Sequence, residues 1–148
     1  MGRLEPAAAQ RVTAFLAAHH VLTLATVDED GPGAAALFYA VDDAMSLYVL
    51  SDPGTRHGRA LAREARVAAT IQAETTDWTA ITGLQLRGTA RQLVEDDEAR
   101  RLYLSRFPFA AALMGDVAPH RFYRIAPRWM RLIDNARGLG FKEEFWLP

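Results

Sequence analysis

The chain contains no cysteine. Disulfide scaffolds, thiolate nucleophiles and cysteine-bound metals are therefore excluded. It has no apolar run long enough to cross a bilayer as a helix. Its first residues, MGRLEPAAAQ, lack the apolar stretch of a secretion signal. A cytoplasmic protein is the expectation. A charge bias is missing too: 17 Lys and Arg stand against 18 Asp and Glu, for a net charge of −1. That balance leaves no electrostatic footprint for nucleic acid or an anionic membrane. No G-x-S-x-G, H-E-x-x-H or Walker-type loop occurs, so hydrolase and nucleoside-triphosphate chemistry have no motif. There is no repeat, linker or low-complexity block. What remains is one ordinary globular domain, residues 1–148, with half its residues hydrophobic and length enough to bury a core.

Two periods alternate along the chain. Residues 5–20, EPAAAQRVTAFLAAHH, predict a helix with Pro6 in its first turn and Val12, Phe15 and Leu16 on one stripe. From Val21 to Ser51 three β-rich runs are divided by DEDGPG and DDAM, both short enough for antiparallel hairpin connections. Residues 55–64 predict a short helix, RVAATIQA a fourth strand, and WTAITGLQLRGTARQLV a long fifth one. Gly83 and Gly88 within it suggest a bulge or sharp bend. EDDEARRLYLSRF is a second clear helix, acidic first and basic last, stopped by Pro108. FAAALMGD predicts a further helical turn, HRFYRIAPRWMRLIDN a last strand interrupted near Pro127, and the apolar tail an irregular segment. Six mostly sequential antiparallel strands manage their edges best by closing up. The expected fold is mainly β with peripheral helices: a six-stranded antiparallel split β-barrel.

The stretch LSDPGTRHGRAL carries the chemistry. Thr55 stands at a helix N-cap position, where free amides and the helix dipole attract anions. Arg56 adds a fork of donors matched to phosphate oxygens, and His57 a further donor that gains charge on protonation. Gly58 has no side chain to hold a ligand away. These are the parts of a phosphate site; the plainer alternative is a solvated first turn with two surface basic residues.

The run from Val21 to Ile71 resembles the flavin-binding split-barrel family of pyridoxamine 5′-phosphate oxidase-like proteins. The shared features are a TxDxDGxP-like hairpin, a strand ending in Ser51, a Thr-Arg-His turn opening a helix, and the strand RVAATI. LRGTARQL resembles the family's hxGxAxxh strand, and the resemblance extends over residues 21–135. MRLIDNARGLGFKEEF is similar to the end of a small, uncharacterised subgroup. The resemblance implies a homodimer with FMN at its subunit interfaces. It implies that Thr55, Arg56 and His57, with Ser51 before them, lie at the FMN phosphate. Ala35, Ala36, Leu37 and Phe38 would run along the flavin ring and offer backbone groups to its pyrimidine edge. Gln72 would lie near the phosphate or ribityl chain, and Gln85 and Trp129 would reach the flavin, often from the other subunit. Three departures stand out. The family usually has lysine at His57, and often an arginine in the second strand, which here reads GAAALFY. The oxidases carry a C-terminal Arg-x-His substrate grip that this chain lacks.

The resemblance thus implies a flavin reductase or oxidoreductase of unnamed substrate, with no evident acid or base. The alternative is a non-catalytic flavin- or haem-binding protein, with His19, His20 or His120 as axial ligands; a deazaflavin-dependent reductase is a third reading. Otherwise His19 and His20 are explained by capping a helix C-terminus, and no metal site is expected. Asp134 and Asn135 are explained by a turn, and Trp78 and Trp146 by core or interface packing.

Overall fold

A computed structural model describes residues 2–114 and 119–148. In chain order its elements are β1 (Gly2–Arg3), α1 (Pro6–Ala18), β2 (Val21–Asp28), β3 (Gly31–Phe38), β4 (Ala40–Val41) and β5 (Leu47–Ser51). They continue with α2 (Arg56–Arg63), β6 (Arg66–Gln72), β7 (Thr82–Gln92), α3 (Asp97–Arg106), α4 (Ala110–Leu113), β8 (Arg121–Asp134) and β9 (Lys142–Trp146). The six expected strands, β2, β3, β5, β6, β7 and β8, form the antiparallel barrel, within a sheet of nine that also takes in β1, β4 and β9. Pairing runs β3-β2-β6-β7-β8, and β5 joins the first half of β8. β3 and β5 are not paired with each other. This is the split, and it leaves β3 as an open edge.

Alternation explains the wall. Leu22, Leu24 and Thr26 of β2, Val67, Ala69 and Ile71 of β6, and Leu84 and Leu86 of β7 point inward and are buried. Val12 and Leu16 of α1 join the same core, while Tyr103 of α3 and Phe107 just after it form a second cluster with Ala40 and Phe122. The helix N-termini follow the expected signals: Pro6 opens α1, and Asp96 caps α3 by accepting from the Ala99 amide at 2.9 Å. His19 closes α1 with its Nδ1 2.8 Å from the Phe15 carbonyl oxygen.

Three expectations need correction. The tail is not irregular: β9 pairs with the second half of β8, and β1 lies parallel to β9. Trp78 is not in the fifth strand, because Asp77 accepts from the Thr79 amide and hydroxyl and starts a 3-10 turn; β7 begins at Thr82. Nor does Pro127 interrupt β8. It pairs with Gly88 at a bulge, past the end of β5 and before the start of β9, where its missing N–H costs no ladder bond on that side. The helical turn expected at FAAALMGD is α4; Gly115 and Asp116 lie outside the described residues.

Candidate functional site

The turn between β5 and α2 is built from its own short polar side chains. Asp52 accepts from the Gly54 amide at 2.8 Å, and its carbonyl accepts from the Thr55 amide at 3.1 Å and the Thr55 hydroxyl at 2.8 Å. Thr55 in turn caps α2, accepting from the Gly58 amide at 3.1 Å. Gly58 is needed for packing: a Cβ there would stand 2.7 Å from the Pro53 carbonyl oxygen. The first-turn amides of Arg56 and His57 are those that a helix start leaves without an intrahelical partner.

Arg56 leaves this turn and lies across the β2–β3 hairpin. Its Nε and Nη2 donate to the two carboxylate oxygens of Asp28 at 3.0 and 3.3 Å. The guanidinium beside Asp28 holds its carboxyl below the usual carboxylate range. Beneath the guanidinium is Gly33, whose Cβ position would be 3.9 Å from Arg56 Cζ. A cation from α2 thus reaches over the β2–β3 hairpin. A cleft of about 410 Å³ opens between the two elements, lined by Asp28, Glu29 and Asp30 on one side and Arg56, Arg59 and Arg63 on the other.

His57 takes a different direction. Its Nε2 is 2.6 Å from Ser51 Oγ, and it is not among the residues that line the cleft. Burial pushes the imidazole below its ordinary value. A neutral ring accepting the Ser51 proton is consistent with both observations.

β3 offers its open edge selectively. The Tyr39 amide donates to the His20 carbonyl at 3.0 Å, and the register continues through Leu22↔Leu37 and Leu24↔Ala35. The alternation of an antiparallel ladder therefore turns the N–H and C=O of Leu37 and Ala35 toward β2, and those of Ala36 and Phe38 toward the open edge. The side chains alternate likewise: Ala36 and Phe38 are exposed, Ala35 and Leu37 half-buried.

The outer face of the sheet links this edge to the remaining residues. One row runs Ala36, Thr23, Thr70, Gln85, Arg131 across five strands; its neighbour runs Ala34, Ala25, Ala68, Arg87, Trp129. The middle of both rows is small side chains. At the far end Trp129 is buried beneath Arg87 and Arg131, whose Cζ atoms lie 4.7 and 5.2 Å from its ring centroid. Gln72 and Gln85 flank a slot of about 150 Å³ over Gly83, walled by Ile81 and Ile133. Gln85 is three strands from Ala36, or roughly 14 Å. Within one chain, then, the residues stand in three places. Ser51, Thr55, Arg56 and His57 are at the β5–α2 turn, Ala36 and Phe38 on the open edge of β3, where Phe38 packs against Phe107 and Phe109, and Gln72, Gln85 and Trp129 on β6, β7 and β8. Asp28, Gly33 and Arg59 complete the first of these, and sequence reasoning missed them. Asp28 stood in the hairpin motif, but nothing local marked its partner 28 residues on.

Of the histidines, His19 is used as a cap and stacks on Phe15, while His20 is exposed with its ring edge-on to Phe107. No group of three or more His, Asp or Glu residues able to hold a metal ion occurs among the described residues, and no helix among them is long and apolar enough to cross a membrane.

Comparison with known proteins bears on this geometry. The family model for pyridoxamine 5′-phosphate oxidase matches residues 8–134. A UPF0306 protein of Klebsiella pneumoniae is 35% identical over 131 residues, 86% of each chain. Among solved structures, a haem-binding protein from Mycobacterium smegmatis superposes with a TM-score of 0.80 at 24% identity, covering 96% of this chain and 59% of that one. A FAD-binding protein from Mesorhizobium loti gives 0.66 at 23% identity, covering 82% and 90%. These two show the shared fold. With the split barrel, the hairpin and the α2 turn all in place, and the family model matched over most of its length, the chain belongs to the pyridoxamine 5′-phosphate oxidase family, beside its UPF0306 members.

Proposed function

We propose that the protein is an FMN-binding flavoprotein, a homodimer holding flavin at its subunit interface and acting as an oxidoreductase or flavin reductase on a small molecule. The observation that carries this reading is the separation of the candidate residues within one chain: Arg56 lies against Asp28 and Gly33 on the side of the β2–β3 hairpin that Thr26 faces, while Ala36, Gln85 and Trp129 lie on the outer side of the sheet. A two-fold partner packed across the open edge of β3 would bring the Gln72–Gln85–Trp129 group of one chain to Arg56 and Ala36 of the other. The chain's own residues fit the cofactor. Arg56 and the free amides of the α2 start suit a phosphate, and the open-edge N–H and C=O groups of Ala36 and Phe38 suit an imide edge. The small residues Thr23, Ala25, Ala34, Ala68 and Thr70 leave room for a flat ring. When bound, the flavin supplies hydride or electron transfer; the protein binds it, orients it and keeps water from it. The missing Arg-x-His segment favours a substrate other than phosphorylated pyridoxine.

A second reading, a non-catalytic haem- or flavin-binding protein, draws on the exposed His20 beside Phe107 and on the haem-binding structural neighbour. The visible spectrum of the purified protein separates the two. A two-band flavin spectrum supports the first, a Soret band the second, and a single band points to deazaflavin. The finer test is the dissociation constant of FMN and of riboflavin, by quenching of flavin fluorescence. Arg56→Ala weakens FMN about ten- to a hundredfold, the scale of a lost charge-assisted hydrogen bond, and leaves riboflavin nearly unchanged. Equal loss for both ligands overturns the phosphate role.

A further inference from the structure

We propose that Asp28 is a specificity-determining residue of this site: its carboxylate holds the Arg56 guanidinium where a flavin phosphate would bind, so a phosphorylated ligand enters by exchanging one anion for another. The inference rests on the flavin reading above and deepens it. The pairing is fork to fork, Nε to one oxygen at 3.0 Å and Nη2 to the other at 3.3 Å, the geometry a guanidinium also uses for phosphate. Both donors of that fork are therefore engaged in the free protein. Arg59 Nη1 donates to the Gly54 carbonyl at 2.7 Å, and Arg63 Nη1 lies 3.2 Å from Glu29 Oε1. His57 faces Ser51. Three carboxylates, Asp28, Glu29 and Asp30, line the cleft opposite three arginines, so its formal charge is balanced. An incoming phosphate gains the Nε–Nη2 edge of Arg56 only as Asp28 gives it up; the Nη1 side keeps its own N–H groups.

The exchange is feasible because the pair is open to water. The Arg56 side chain is 54% exposed, and ion pairs of that kind are weak. A phosphate carries more charge than a carboxylate near neutral pH, and it gains the α2 amides as well. Asp28 thereby taxes phosphorylated and unphosphorylated flavins differently. Riboflavin needs no exchange, whereas FMN takes the Nε–Nη2 edge of Arg56 only by displacing the carboxylate. The relative affinity for the two is set by a residue of the hairpin and not only by the residues of the α2 turn.

Asp28→Asn tests this with little risk to the fold. The bond that Asp28 Oδ1 accepts from the Asp30 amide at 2.9 Å is one that an asparagine oxygen also accepts. The first measurement is the dissociation constant of FMN and riboflavin for both proteins. The expected result is FMN binding tightened about two- to fivefold, the scale of one exposed ion pair lost as a competitor, with riboflavin unchanged. The second uses no flavin: the Arg56 Nε–H resonance is followed by NMR as inorganic phosphate is added. It shifts at lower phosphate concentration in Asp28→Asn than in the native chain. An Asp28→Asn protein that binds FMN no better, or more weakly, makes Asp28 a positioning residue for Arg56 and overturns the proposal. So does an unchanged phosphate titration. Failure of both proteins to bind either flavin, with the phosphate titrations still separated, instead overturns the flavin reading and leaves Asp28 as the competitor at an anion site.

Discussion

Ser51 Oγ and His57 Nε2 stand 2.6 Å apart, joining the end of β5 to the first turn of α2. This contact changes what His57 contributes. A lysine here would carry a fixed charge; the imidazole is half-buried, and burial lowers its proton affinity. The unfolded chain then binds a proton that the folded chain resists. The contribution to stability is fully present above the unfolded value of about 6.5 and is lost as pH falls through the lowered folded value. Urea unfolding at pH 7.5 and 5.5 should show the native protein losing stability on acidification, and His57→Gln losing less. Equal losses would mean that the ring is not held neutral by its surroundings.

Arg106 does for α1 what α1 cannot do for itself. The helix has no basic residue in its last turn. Arg106, from α3, donates to the carbonyls of Leu16, Ala17 and His19 at that end, and to Tyr39 O at 3.1 Å. Three carbonyls at the end of α1 and that of Tyr39 thus share one fork, and Leu16 O also accepts from the Tyr39 hydroxyl at 2.7 Å. Arg106→Met should destabilise the protein by about 1.5–3 kcal/mol, the scale of hydrogen bonds to a charged group. Arg106→Lys should recover only part, because a point charge cannot span the same carbonyls. Chemical denaturation of the three proteins measures this directly.

The pattern of successes and misses has a physical source. Strands β2, β3 and β5–β8 were legible because their apolar residues alternate against a single core, and the helix starts because their caps are local. The tail was not. In FKEEFW only Phe145 is buried, and the segment becomes a strand because β8 runs past β5 and presents a free edge. The site divides in the same way. Thr55 and Arg56 could be read from the start of a helix. Asp28 against Arg56, and Arg106 against α1, join residues far apart in sequence and belong to no periodic signal.

Gly88 and Gly33 should respond oppositely to the same methyl group. A Cβ at Gly88 would overlap the Ala126 carbonyl oxygen at the β7–β8 bulge, where backbone surrounds it. Gly33 has ordinary room, with Thr26 Oγ1 3.6 Å from its Cβ position. Gly88→Ala should cost about 1–3 kcal/mol, as overpacking does, or abolish folding. Gly33→Ala should stay within about 0.5 kcal/mol of the native protein. Comparable melting temperatures for the two variants would mean that the bulge relaxes without strain.

The last prediction concerns the shared site. If Arg56 of one chain and Gln85 of its partner serve one flavin, neither Arg56→Ala nor Gln85→Ala leaves an intact site in its own homodimer. Mixing the two by co-refolding changes that. Random two-fold pairing makes about half the dimers mixed, and each mixed dimer has one site carrying both substitutions and one carrying neither. About a quarter of all sites should then recover native FMN affinity, which a fluorescence titration resolves as a tight phase absent from either parent. The same interface should bury about 2,000 Å² in total, as obligate dimers do. Ala68→Glu, a charge placed in the small-residue centre of the outer face, should yield a monomer by light scattering and lose FMN with it. A tight phase that never appears in the mixture, or an Ala68→Glu monomer that binds FMN normally, would place the whole flavin site within a single chain.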